Sequence, residues 1–149
     1  WEASELIRGV IEKGGGELKV EFPKTPLMAR IGSDHVKRVT LNLLRNAAQV
    51  SASVRLRAWT EDHQVIVSVC DDGPGVPEAL RDRIFNAFVT DKEQGAGLGL
   101  AIVKKVVEAH GGKVELHRTG ETDGATGSEF RLYFQILDEA PPSPDPRGE

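Results

Sequence analysis

Two stretches of alternating residues stand back to back in the middle of the chain. From Ser53 to Thr60, Val54, Leu56 and Ala58 fall on one side; from Gln64 to Cys70, Val65, Val67 and Val69 oppose Ile66, Ser68 and Cys70. A period of two is that of a β-strand, whose side chains point to opposite faces in turn. Glu61-Asp62-His63 between them is a short polar turn, so the pair reads as a hairpin. A hairpin commits the domain to antiparallel pairing and leaves an apolar face that other elements must cover.

The flanking segments supply that cover. Residues 3–13 (ASELIRGVIEK) set Leu6, Ile7, Val10 and Ile11 at helical spacing, and Gly14-Gly15-Gly16 ends the run. Ser33 or Asp34 suits the N-cap of a second helix reaching to about Val50. Residues 97–110 form a third, amphipathic helix closed by Gly111-Gly112. Residues 17–22, 113–118 and 129–137 read as further strands, 27–31 as a short one, and 77–86 as a short helix behind Pro77. Regular strand–helix–strand spacing is missing. The fold class expected is therefore α/β: a two-layer sandwich, with a mixed, mostly antiparallel sheet of about five strands and three main helices on one face. Residues 1–139 make the domain. Residues 140–149 (APPSPDPRGE) hold four prolines and read as a disordered tail or linker.

Bulk properties narrow the class of partner. With 149 residues, 39% apolar and 28% charged, the chain is long enough for one cored globular domain. A net charge of −4 gives no footprint for nucleic acid or for an acidic membrane surface. A single cysteine, Cys70, excludes an internal disulfide and agrees with a reducing compartment. No apolar run approaches membrane-spanning length. The first residue is Trp1, so an excised fragment with room for an upstream membrane segment is the expectation.

Four segments carry chemistry. In LNLLRNAAQVS (residues 41–51), Asn42 and Asn46 project from one helical face. An amide oxygen is a neutral hard ligand for Mg²⁺ when phosphates supply the charge, although a solvent-facing pair would look the same. Asp71-Asp72-Gly73-Pro74-Gly75-Val76-Pro77 follows a strand; a carboxylate there can accept from an exocyclic amine, and the glycines let backbone approach a flat ring. Ordinary turns also use Asp and Gly. Gly95-Ala96-Gly97-Leu98-Gly99-Leu100 opens a helix, where free N–H groups favour anions. Gly127-Ser128-Glu129-Phe130 enters the last strand and says little alone.

In that order, the four segments resemble the boxes of the GHKL ATP-binding superfamily, most closely the catalytic domain of its sensor histidine kinases. The resemblance runs from about residue 3 to 138. NLLRNA resembles the N box, DDGPGVP the first glycine box, RIFNAF-VTDK (residues 83–92) the phenylalanine box and lid, and GAGLGLAIVKKVVEAHGGKV the second glycine box with its helix. The resemblance implies ATP and Mg²⁺ as cofactors. It implies that Asn46 ligates the metal and that Asn42 supports it or its waters. Asp71 would receive the adenine amine, with Gly73, Gly75 and Val76 against the ring and Ser128 at the pocket base. Gly95, Gly97, Leu98, Gly99 and Leu100 would present N–H groups to the phosphates, and Lys92 would reach the γ-phosphate. Asn42 and Lys92 would be the catalytic pair.

Asn42 also separates branches. The water-activating members of the superfamily carry glutamate at that helix position, and an amide cannot take a proton. The chain is thus expected to hold ATP for an acceptor supplied elsewhere. The implied partners are a phosphoacceptor-histidine helical domain of the same protein, homodimeric at full length, and a response regulator. Nucleic acid and direct membrane contact are not implied. The implied location is the cytoplasm, with a membrane-bound parent sensor as one setting. None of His35, His63, His110 and His117 has the context of a phosphoacceptor, and no Cys/His spacing suggests zinc. Gln49-Val50 replaces the family's Lys-Tyr, and Ala87-Phe88-Val89-Thr90-Asp91-Lys92 departs from its lid. Two alternatives stay open: a non-catalytic nucleotide-sensing or interaction module of the same fold, and an anti-sigma-type serine kinase.

Overall fold

A computed structural model describes residues 12, 16–23, 33–86, 99–119 and 127–136. The expected helix at 3–13 (apart from residue 12), the strand at 27–31, the lid and the tail at 140–149 lie outside the described residues. The elements are β1 (Glu17–Glu21), α1 (Ser33–Ala48), β2 (Ser53–Glu61), β3 (Gln64–Asp71), a 3-10 helix (Glu78–Arg83), α2 (Gly99–Ala109), β4 (Lys113–Thr119) and β5 (Ser128–Gln135). The five strands form one sheet in the order β1-β2-β3-β5-β4. β1 runs parallel to β2, and the other neighbours are antiparallel, so the sheet is mixed as expected.

The alternation read from the sequence sets the two faces. On the inner face, Val54 and Leu56 of β2, Val69 of β3 and Phe130, Leu132 and Phe134 of β5 are buried, joined by Leu18 of β1. α1 lays Val39, Leu43, Leu44 and Ala47 on this face, and α2 adds Leu100, Val103 and Val107. Both α1 and α2 belong to this core. No described helix is long and apolar enough to cross a membrane.

Several boundaries differ from the sequence reading for identifiable reasons. The hairpin turn is two residues, not three, because Asp62 (φ 52°) and His63 (φ 62°) both take the left-handed conformation, the geometry of a tight turn matched to strand twist. α1 stops at Ala48 instead of about Val50: the N–H groups of Val50 and Ser51 both donate to the Ala47 carbonyl, at 3.1 Å each, and bend the chain off the helix. The segment behind Pro77 is a 3-10 helix of six residues with none buried, so nothing apolar draws it into a longer α-helix. Phe22 falls beyond β1 and stays 42% exposed.

The outer face of the sheet carries an ionic cluster. The Glu129 side chain is almost fully buried, and its Oε2 accepts from Arg131 Nε (2.7 Å) and Ser68 Oγ (2.8 Å), with Arg57 at 3.5 Å. Burial pushes the Glu129 carboxyl up, but the hydrogen bonds from Arg131 and Ser68 win and hold it below the usual carboxylate range. Both guanidinium groups also lie 5.1 Å from the Trp59 ring centre.

Candidate functional site

The inner-face end of β3 and β5 adjoins the C-terminal end of α1, and Asp71, Gly73 and Ser128 meet at that junction. Asp71 is the last residue of β3; it stands opposite Val54 of β2 and Ser128 of β5. It is 8% exposed, and Oδ1 accepts the N–H of Gly73 at 2.9 Å. This bond to the residue two places on turns the carboxylate inward at the strand end. Asp72 does the opposite work: it is exposed, and its Oδ1 accepts the Ser53 N–H at 3.3 Å, tying the turn to the start of β2.

Two glycines border Asp71. A Cβ at Gly73 would stand 2.7 Å from the Val50 carbonyl oxygen and 3.1 Å from Asp71 Oδ1. The turn therefore rests directly on the residue that leaves α1, and any side chain there would drive the two apart. Gly127 has φ +142°, and a Cβ there would fall 1.9 Å from the Asp71 carbonyl oxygen. Ser128 follows at 3% exposure. Asp71 thus sits between two backbone segments that come close only because neither carries a side chain. Further along the turn, Gly75 has φ +87°, and Val76 is partly buried against the core, its carbonyl accepting from Arg81 Nε at 3.0 Å.

On α1, Asn42 and Asn46 are both half-buried, one turn apart. At 3.6 residues per turn they fall at the margin of the buried stripe of Val39, Leu43 and Ala47. That position answers how a core helix carries two amides: the apolar stripe meets the sheet, and the Asn pair edges it. Gly99 opens α2, and a Cβ there would meet nothing within 4 Å. Leu100 is 9% exposed and its side chain belongs to the core, so only its N–H is available for an anion. Lys92, Gly95, Gly97 and Leu98 lie outside the described residues.

The structure brings Asp71, Gly73 and Ser128 together and sets them against the end of α1. It adds two participants that the candidate set lacks. Gly127 stood in the GSEF segment, and a glycine directly before a strand was the available signal. The Val50 carbonyl had no signal, because a backbone contact between residues 50 and 73 is a tertiary fact.

The donor set fits a purine and a phosphate-bound ion. A carboxylate accepts at about four positions, and one at a strand end is the kind of acceptor that an exocyclic amine matches. Among the described residues no group of three or more His, Cys, Asp or Glu is gathered to hold a cation. The neutral amides of Asn42 and Asn46 suit Mg²⁺ only when phosphates balance its charge.

Comparison with known proteins follows the same line. The profile of the family described as histidine kinase-, DNA gyrase B-, and HSP90-like ATPase matches residues 32–138. The sensor protein KdpD of Clostridium acetobutylicum is 34% identical over 113 residues, covering 70% of this chain and 13% of that protein. Among solved structures, a mycobacterial sensor histidine kinase, MprB, superposes with a TM-score of 0.77 at 28% identity, covering 91% of each chain. Full-length ShkA, solved in complex with AMPPNP, gives a TM-score of 0.71 at 33% identity over 91% of this chain and 28% of that one. The chain spans a small part of the KdpD and ShkA chains it matches.

Proposed function

Because this chain belongs to the histidine kinase-, DNA gyrase B- and HSP90-like ATPase family, as a catalytic ATP-binding domain of a histidine kinase, we propose that it binds Mg·ATP at the Asp71 end of its sheet. In its parent protein it then donates the γ-phosphoryl group to a histidine on a separate helical domain. The observation that carries this reading is the buried Asp71 carboxylate held by the Gly73 N–H between two side-chain-free backbone segments.

Each residue has a distinct task. Asp71 accepts from the adenine amine, and Ser128 lies at the base beside it. Gly73, Gly75 and Val76 line the turn against the ring. Asn46, supported by Asn42, presents amide oxygen to Mg²⁺, which neutralises phosphate charge when bound. Backbone N–H groups from Gly95 to Leu100 hold the phosphates, and Lys92 contacts the γ-phosphate. The Asn42 amide cannot take a proton from water, so water is a poor acceptor and the phosphoryl group is kept for a positioned imidazole. The domain acts in the cytoplasm, within a homodimeric sensor whose phosphohistidine a response regulator consumes.

The test is transfer in trans. The chain is incubated with γ-labelled ATP, Mg²⁺ and the parent's acceptor hairpin supplied separately. Acid-labile, base-stable label on the hairpin supports the reading. Nucleotide binding without transfer favours a sensing module, and acid-stable label on a serine favours the serine-kinase alternative.

A further inference from the structure

Two histidines that the sequence separates by most of the domain meet in space. His35 lies in the first turns of α1 and His110 directly after α2, and their ring centres are 4.5 Å apart with the planes inclined at 48°. His110 Nδ1 lies 2.9 Å from the Val106 carbonyl oxygen. A carbonyl only accepts, so Nδ1 carries the proton, and in the neutral ring the lone pair is on Nε2. Fixing one ring nitrogen to a backbone carbonyl while leaving the other as donor atom is the arrangement that orients histidine ligands in metal sites. His35 is exposed and can turn toward a shared ion; His110 is half-buried and held.

We propose that the His35–His110 pair binds a divalent transition-metal ion of the class that imidazole prefers, Zn²⁺, Ni²⁺ or Cu²⁺, which clamps the start of α1 to the end of α2. The rings stand 4.5 Å apart between centres, and rotation of the exposed His35 side chain is what would bring one of its nitrogens and His110 Nε2 onto a single ion. Among the described residues no third His, Cys, Asp or Glu gathers with the pair, so water completes the coordination. A two-ligand site of this kind is reversible and weaker than a structural zinc site. Mg²⁺, which requires oxygen ligands, is excluded from it, so the site is chemically distinct from the one proposed for Mg·ATP. It also lies at the other end of the helix pair, since Asn46 is near the C-terminus of α1 and Gly99 opens α2.

The experiment is a titration of the tag-free chain with Zn²⁺, without nucleotide, followed by calorimetry and by nitrogen-detected imidazole spectra. The expected result is one saturable equivalent, with coordination shifts at His110 Nε2 and at His35 while His110 Nδ1 remains protonated. Saturating metal should also raise the melting temperature by roughly 4 °C or more at a hundredfold excess over the dissociation constant. His35→Asn changes an exposed residue, keeps the fold by circular dichroism, and should abolish both the isotherm and the thermal shift. Unchanged binding in His35→Asn, shifts at His63, His117 or Cys70 in place of the pair, or no binding by the parent chain each overturns the proposal. None of these outcomes depends on whether the chain binds ATP.

Discussion

Asp71 and Glu129 are buried carboxylates on opposite faces of one sheet, and their surroundings give them different work. Asp71 bonds the next turn at the end of its strand; Glu129 is held by Arg131, Ser68 and Arg57 and belongs to the fold. Replacing Asp71 by Asn keeps the shape and an acceptor for Gly73 but turns an N–H₂ toward the adenine amine. ADP binding should weaken by about 1.5–3 kcal/mol, roughly ten- to a hundredfold, with little change in melting temperature. Titration of both proteins with ADP checks it. Glu129→Gln leaves two arginines without their anion and should cost stability. Breaking a fully buried pair costs about 3–5 kcal/mol; the arginine side chains here are 32% and 20% exposed, so about 1–3 kcal/mol is expected after solvent screening. Chemical denaturation measures it. The pH dependence has a definite sign. The native Glu129 pKa is lowered, so its contribution is present above the unfolded glutamate value of about 4.3 and is lost as pH falls through the lower native value. The parent should lose stability over that acid window more steeply than Glu129→Gln.

At the level of elements, the hairpin and the Asn helix were legible because each writes its geometry as a period. Val54, Leu56 and Val69 alternate onto the core, and Val39, Leu43 and Ala47 recur at helical spacing. The two-residue turn was less legible, since Asp62 and His63 are not the Asn-Gly pair that usually marks it, yet both adopt positive φ. That cost is recoverable. Asp62→Asn with His63→Gly should stabilise the chain by about 1 kcal/mol and raise the melting temperature by a few degrees, read by thermal denaturation; no change would mean that the turn carries no left-handed strain. The close approach of Gly73 to Val50 and of Gly127 to Asp71 could not be read locally, because each joins segments remote in sequence. The ionic cluster on the outer face escaped for the same reason: Arg57, Ser68, Glu129 and Arg131 come from three strands and meet only through the register.

For the whole molecule, the sheet positions the candidate site, and the residues that leave α1 border it. β3 ends at Asp71 where β5 begins at Ser128, and the chain leaving α1 sets Val50 against Gly73, so the turn that would hold the base and the helix that would hold the metal are mechanically joined. Each box is a local motif in the sequence; the fold adds the meeting of Asp71, Gly73 and Ser128 with the residues that follow α1. Ligation at the two parts should therefore be coupled, with Mg²⁺ strengthening nucleotide binding through phosphates shared with the Asn helix. The most direct measurement is a calorimetric titration of the chain with ADP and a non-hydrolysable ATP analogue, with and without Mg²⁺. The account expects saturable binding of one nucleotide, tightened by Mg²⁺ in the parent and not in Asn46→Ala. No binding up to millimolar nucleotide, or binding that Mg²⁺ tightens equally in Asn46→Ala, would contradict it.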